Sequence, residues 1–252
     1  MAGGIRWLAI ILIGYVIWMA PLHAGEKASS PEGNTAPPAI TEDAARLLEL
    51  GKLFMGQNNP TYTDSTAKYT IESRNMAAEQ ALNTFRTVVK LYPQYAEGWL
   101  WLGIALTETL HYTKEAPQGQ HVITENKINE GVQAFRNAYE RAPADITYVK
   151  YYGDALMVYQ YDFDGARKLW ERYLPMATTD LQRVTALVQS ARASLNKAYF
   201  GKAKKMPAAE IRQNFQDAAN AVQRAAKLCP KADDVKQMQA LLQQYRKILY
   251  GK

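Results

Sequence analysis

Ala81-Leu82-Asn83-Thr84-Phe85-Arg86-Thr87-Val88-Val89-Lys90-Leu91-Tyr92-Pro93, followed by Gly103, Ala105 and Leu106, is the stretch that sets the reading of the chain. Ala81, Leu82, Phe85, Val88 and Val89 fall on one stripe of a helix. Pro93 stops that helix, because proline has no N–H to donate and its ring clashes with the preceding turn. Ala96 to Leu110 then resumes helical periodicity through Trp99, Leu102, Ala105 and Leu106. Fifty residues further on, Phe135-Arg136, Pro143, Gly153, Ala155 and Leu156 repeat the same six residues at one fixed offset. Self-similarity of this kind marks a supersecondary unit stacked on copies of itself. The unit is a helix, a stop and another helix.

The surrounding composition agrees. From Thr41 onward proline becomes rare, alanine, leucine, glutamine and lysine dominate, and no segment alternates convincingly with period two. The chain has 252 residues, 48% of them hydrophobic, enough for one medium domain or a short solenoid with a real core. One cysteine, Cys229, excludes an intramolecular disulfide; its place before Pro230 at a helix end reads as a small, semi-buried apolar residue.

The repeat resembles the tetratricopeptide (TPR) family on specific positions. Trp99, Leu102-Gly103, Leu106, Phe135, Ala138 and Pro143 fill that family's pattern. Leu47, Leu50-Gly51, Phe54, Ala81, Phe85, Val88 and Pro93 fill an earlier copy, and Val149, Tyr152-Gly153, Leu156, Ala166, Trp170 and Tyr173 a later one. A weaker fourth runs through Leu187, Ala218, Val222, Ala225 and Pro230, with Val188 where glycine is expected. The resemblance implies an all-α, right-handed superhelical solenoid of antiparallel helix pairs. It spans residues 41–232 as three to four units, with insertions near 57–75 and 111–127. Asp233 to Tyr250 carries Val235, Met238, Leu241, Leu242, Tyr245 and Leu249 on one stripe, so 233–252 reads as a C-terminal capping helix. Thr179 with Gln182 forms a capping-box pair that predicts a helix start.

Glycine inside a helix costs roughly 1 kcal/mol relative to alanine, so three at one repeat position demand a packing reason. Small residues at a tight helix crossing supply one. The expected pairs are Gly51 with Ala81, Gly103 with Gly131, and Gly153 with Ala166.

The N-terminus has its own logic. Met1 to Arg6 is short and positive, Trp7 to Ala20 is apolar, and Pro21-Leu22-His23-Ala24 precedes Gly25. This is the three-part plan of a signal peptide over 1–24, cleaved after Ala24, with an uncleaved anchor as the alternative. Residues 25–40 are small, polar and proline-bearing and read as a flexible leader. Export to the periplasm or beyond follows.

Signs of chemistry are few. The sequence has no glycine-rich phosphate loop, no zinc-ligand cysteine spacing and no His-Glu-x-x-His helix. His111 and His121 bracket the second insertion, but two strong ligands make a poor metal site. No cofactor or metal is expected, and the enzymatic alternative rests on those loops. A small-ligand binder using the tyrosine-rich stretch Tyr148, Tyr151, Tyr152, Tyr159 and Tyr161 is a further alternative.

The family geometry implies a concave groove lined by Glu97, Leu100, Trp101, Ile104 and Glu108 from one unit. Lys150, Tyr151, Asp154, Met157 and Val158 follow from the next. Such a mixture suits a peptide or protein segment, with Trp101 and Tyr151 as anchors or as packing against the insertions. The two-carboxylate clamp found in some members is absent, since Leu48, Lys52 and Trp101 stand at three of its places. Charge is uneven. Of the net +6, residues 196–252 hold twelve Lys and Arg against four Asp and Glu, a balance of +8, which leaves 25–195 at −3 after Arg6. The basic end suits an acidic partner or anionic lipid, or is a solvated surface. Nucleic acid is a poor candidate for an exported chain. The expected function is a non-catalytic scaffold or adaptor of the cell envelope.

Overall fold

The structure, a computed structural model, describes residues 42–62, 69–121 and 124–251. The expected signal peptide and leader lie outside the described residues. Nine helices form among them: α1 (Glu42–Asn58), α2 (Ile71–Leu91), α3 (Ala96–Glu108), α4 (Glu125–Arg141), α5 (Ile146–Val158), α6 (Phe163–Tyr173), α7 (Asp180–Ala203), α8 (Ala208–Leu228) and α9 (Asp233–Tyr250). Consecutive helices pack as hairpins, α1 on α2, α3 on α4, α5 on α6 and α7 on α8, and α9 lies against both α7 and α8. This is an all-α solenoid of helix pairs closed by a terminal helix.

The stripe Ala81, Leu82, Phe85, Val88 and Val89 is buried in α2, which ends at Leu91 just ahead of Pro93. Starts are fixed by side chains that satisfy otherwise orphaned amides. Thr70 accepts from the Ser73 amide, Thr124 from Lys127, Asp145 from Thr147 and Asp162 from Gly165. The Thr179–Gln182 capping box opens α7 with both of its reciprocal bonds.

The insertions differ from the sequence reading in one respect. They are partly ordered by pairing that periodicity could not show, because its strands are two residues long. β1 (Leu110–His111) pairs antiparallel with β2 (Gln120–His121), setting Leu110 opposite His121 and His111 opposite Gln120. Two asparagines of the first hairpin hold this ribbon as a neighbouring strand would. Asn58, fully buried, donates to the Leu110 carbonyl (2.8 Å) and accepts from the Leu110 amide (2.8 Å). Asn75 makes the same pair of bonds with the Tyr112 carbonyl and amide, both at 2.9 Å. The Tyr112 hydroxyl donates to the Asn58 carbonyl, and the Arg74 guanidinium lies 5.0 Å from the Tyr112 ring.

Gly51, Gly103 and Gly153 all sit at crossings within a helix pair, and at each the nearest neighbour is an aromatic ring of the partner helix. A methyl group on Gly51 would strike the Phe85 ring, one on Gly103 the Phe135 ring at 2.5 Å, and one on Gly153 the Trp170 indole at 2.7 Å. The glycine leaves a notch for a flat aromatic ring from the partner helix. Gly103 and Gly131 also approach as the expected small pair, since a methyl on Gly131 would lie 3.7 Å from the Gly103 carbonyl. Phe85 and Trp170 are fully buried as a result, each contributing about 2–3 kcal/mol of transfer free energy.

Candidate functional site

The notched rings also set the aromatic residues of the next hairpin. Phe85, lodged on Gly51, stacks on Trp101 of α3 at 6.0 Å between ring centroids; Phe135, lodged on Gly103, stacks on Tyr151 of α5 at 5.5 Å. One face of each expected anchor is therefore committed to packing between hairpins. Trp101 also meets the edge of Tyr62, from the first insertion, at 5.8 Å, and the Lys52 ammonium lies 5.4 Å from its ring. Both remain half-buried, so an edge of each stays accessible.

The ten residues expected to line a groove differ in their surroundings, Val158 being the half-buried last residue of α5. Leu100, Ile104 and Met157 are 7%, 2% and 3% exposed and belong to the core, which corrects their assignment as partner contacts. Leu100 and Ile104 share one buried cluster with Phe85 and Phe135, and Trp101 packs against its edge. Glu97 is engaged internally: it accepts from Lys52 at 2.8 Å and from the Tyr95 hydroxyl at 3.1 Å, joining α1 to α3. Lys150 lies within electrostatic reach of Asp234 on α9. That leaves Trp101, Glu108, Tyr151 and Asp154 together, with two residues that sequence reasoning did not place, Tyr62 and Tyr159.

Glu108 is the centre of this group. It is the last residue of α3, partly buried, and its backbone carbonyl accepts from Asn59 just past the end of α1. Loss of water around it pushes its carboxyl up from 4.5 to about 7. The phenols of Tyr62, Tyr151 and Tyr159 all feel its charge. Burial first, and Glu108 second, raises Tyr62 strongly and pushes Tyr151 and Tyr159 up to about 12; Asp154 adds to the last two. All three therefore stay neutral hydroxyls around an acidic group.

Other places are less developed. His111 and His121 are exposed and diagonal across the ribbon, and no cluster of three metal-ligating side chains occurs among the described residues. A cavity of about 240 Å³ between α6, α7 and α8 is lined by Arg167, Asp217, Ser190 and Ser194 among others. Arg167 there faces Asp217 at 3.7 Å and Glu171 at 3.8 Å, so its charge is already balanced. No described helix is long and apolar enough to cross a membrane.

No family model matches this chain, and no curated protein sequence does either. Among solved structures the chain is similar to the MamA RS-1 ArsTM double mutant, at 13% identity and a TM-score of 0.41, over 85% of this chain and 100% of that one. It is also similar to TTC0263, a thermophilic TPR protein in Thermus thermophilus, at 14% identity and a TM-score of 0.42, over 80% and 99% of the two chains. The helix pairs and ring-filled glycine notches described above define the class: an all-α helical-hairpin solenoid.

Proposed function

We propose that the chain is a non-catalytic scaffold or adaptor that holds a peptide or protein segment along the face formed by α1, α3 and α5. The observation that carries this reading is the set of partly exposed aromatic residues on and beside those helices, Trp101 and Tyr151 with Tyr62 and Tyr159, near Glu108. Aromatic side chains with a polar tip supply large contact area at small entropic cost. Packing on Phe85 and Phe135 preorganises Trp101 and Tyr151, so little ordering of those two remains to be done on binding.

We further propose that the protein works in the cell envelope, on the strength of the Met1–Ala24 pattern. The basic stretch 196–252 would contact an acidic partner or anionic lipid there. A photo-crosslinking side chain at position 159 tests the groove in cells of the native source. It is expected to capture a defined partner that the same group at exposed Lys168, on α6, does not. Equal capture from both positions, or none from 159, refutes the assignment.

A further inference from the structure

Three helix ends meet at the basic corner of the chain. Lys202, in the last turn of α7, reaches the end of α9 and donates to the Ile248 carbonyl at 2.6 Å and the Leu249 carbonyl at 3.2 Å. The Tyr250 ring, also at the end of α9, meets the Phe215 ring of α8 edge-on at 5.5 Å. Arg212 stands one turn before Phe215, near the start of α8 and on the same helix face. The corner therefore gathers Lys202, Lys204 and Lys205 from the end of α7, Arg212 from α8, and Arg246 and Lys247 from α9, all of them exposed. The sequence places no Asp or Glu between 201 and 209 or between 235 and 252.

The fold itself calls for some of these cations. Lys202 and Lys247 lie in the last turns of α7 and α9, where positive charge complements the exposed carbonyls. Lys205 is different. α7 closes in a Schellman turn, in which the Met206 amide donates to the Gly201 carbonyl at 2.8 Å and the Lys205 amide to the Lys202 carbonyl at 3.2 Å. Lys205 takes a φ of 59° there, the left-handed conformation that glycine adopts without steric cost. At the end of α9 glycine does stand in that conformation, as Gly251 with a φ of 69°. A lysine held where the backbone favours glycine points to a use for its charge outside the fold. Apolar groups stand among the cations: Ile248 is 43% and Tyr250 36% exposed, and Pro207 is exposed next to half-buried Met206.

We propose that this corner docks on the surface of an anionic lipid bilayer. Lysines on flexible stems suit a mobile layer of phosphate headgroups, which presents no fixed geometry to be matched by a rigid fork. Each cation near such a surface adds attraction, while Tyr250 and Ile248 enter the interfacial region beside them. The inference rests on the envelope placement proposed above and selects lipid from the two acidic surfaces named for the basic stretch. It is independent of the groove on α1, α3 and α5.

The chain purified from its native source is sedimented with vesicles of phosphatidylcholine alone, or of equal parts phosphatidylcholine and phosphatidylglycerol. Binding to the mixed vesicles is expected to exceed binding to the neutral ones, and to weaken as salt is added. Lys204→Gln with Lys205→Gln and Lys247→Gln should lower affinity for mixed vesicles about a hundredfold, at about fivefold per charge. Lys90→Gln with Lys114→Gln and Lys168→Gln removes the same charge from exposed positions elsewhere and should cost less than about threefold. Lys205→Gly separates charge from fold: it should melt no lower than wild type, yet bind mixed vesicles about fivefold more weakly. Equal binding to both kinds of vesicle, equal loss in the two triple variants, or undiminished binding by Lys205→Gly overturns the inference. So does polyglutamate held through the same three lysines more tightly than mixed vesicles, which assigns the corner to an acidic protein. These outcomes leave the envelope placement standing, since the mature N-terminus tests it separately.

Discussion

Glu108→Gln makes a thermodynamic prediction that needs no ligand. Burial lifts the Glu108 carboxyl from 4.5 to about 7, so the folded chain binds its proton more tightly than the unfolded chain does. That contribution to stability is complete below about pH 4.5 and is lost as pH rises through about 7. At about 1.4 kcal/mol per tenfold change in proton affinity, the ionised carboxylate costs the fold about 3 kcal/mol at pH near 8. Glutamine keeps the shape and removes the charge, though its buried amide retains a desolvation cost of about 1 kcal/mol. Urea unfolding at pH near 8 is therefore expected to show Glu108→Gln more stable than wild type by about 1–3 kcal/mol. Near pH 5, where the wild-type carboxyl is already largely protonated in the fold, the two should agree within about 0.5 kcal/mol. A difference that is the same at both pH values, or a variant less stable than wild type near pH 8, would refute the picture of an acid whose proton affinity is raised by burial.

Gly103→Ala forces a methyl into the Phe135 ring and should lower stability by about 2 kcal/mol in denaturant unfolding, despite the better helix propensity of alanine; adding Phe135→Leu should recover part of that. Asn75→Ala removes both bonds to Tyr112 and is expected to cost about 2 kcal/mol, with faster hydrogen exchange at the Tyr112 amide as the specific readout. Thr179→Ala breaks the capping box of α7 and should cost about 1 kcal/mol, seen as a lower Tm in thermal melting. Mass spectrometry of protein recovered from the native envelope is expected to find a chain beginning at Gly25; a mature chain retaining Met1–Arg6 would support an anchor instead.

The legible part of the fold was whatever repeats. The fifty-residue offset located Phe85, Phe135, Gly103 and Gly153, and with them the helix pairs, because each repeat position meets the same surroundings in every unit. The ring in each notch was not read from the small residues. The rule that small residues permit close approach does not say whether a backbone or a flat ring fills the space, and here Phe85, Phe135 and Trp170 fill it. The groove list failed in a related way. Repeat position alone cannot distinguish a residue facing the groove from one a single helical step inward, so Leu100, Ile104 and Met157 were carried along with Trp101 and Tyr151. Tyr62 was invisible for another reason: it lies in an insertion, where no repeat register applies, and only the folded chain brings it against Trp101. Tyr159, just past the end of α5, was visible as a tyrosine but not as a neighbour of Glu108. The asparagine contacts of β1 and β2 link residues about fifty positions apart and leave no periodic trace.

Those asparagine contacts bear on how the molecule comes apart. A stack in which each pair touches only its neighbours can fray from either end, one pair at a time. Asn58 and Asn75 rivet the ribbon that follows α3 onto α1 and α2, so the first four helices should melt together or not at all. At the other end α9 packs on α7 and α8 alone, through Val235, Met238 and Leu249, the Tyr245–Tyr199 and Tyr250–Phe215 rings, and Lys202 on its last carbonyls. Pulled by its termini, the chain should unravel from the basic end and keep the acidic, aromatic end intact until last.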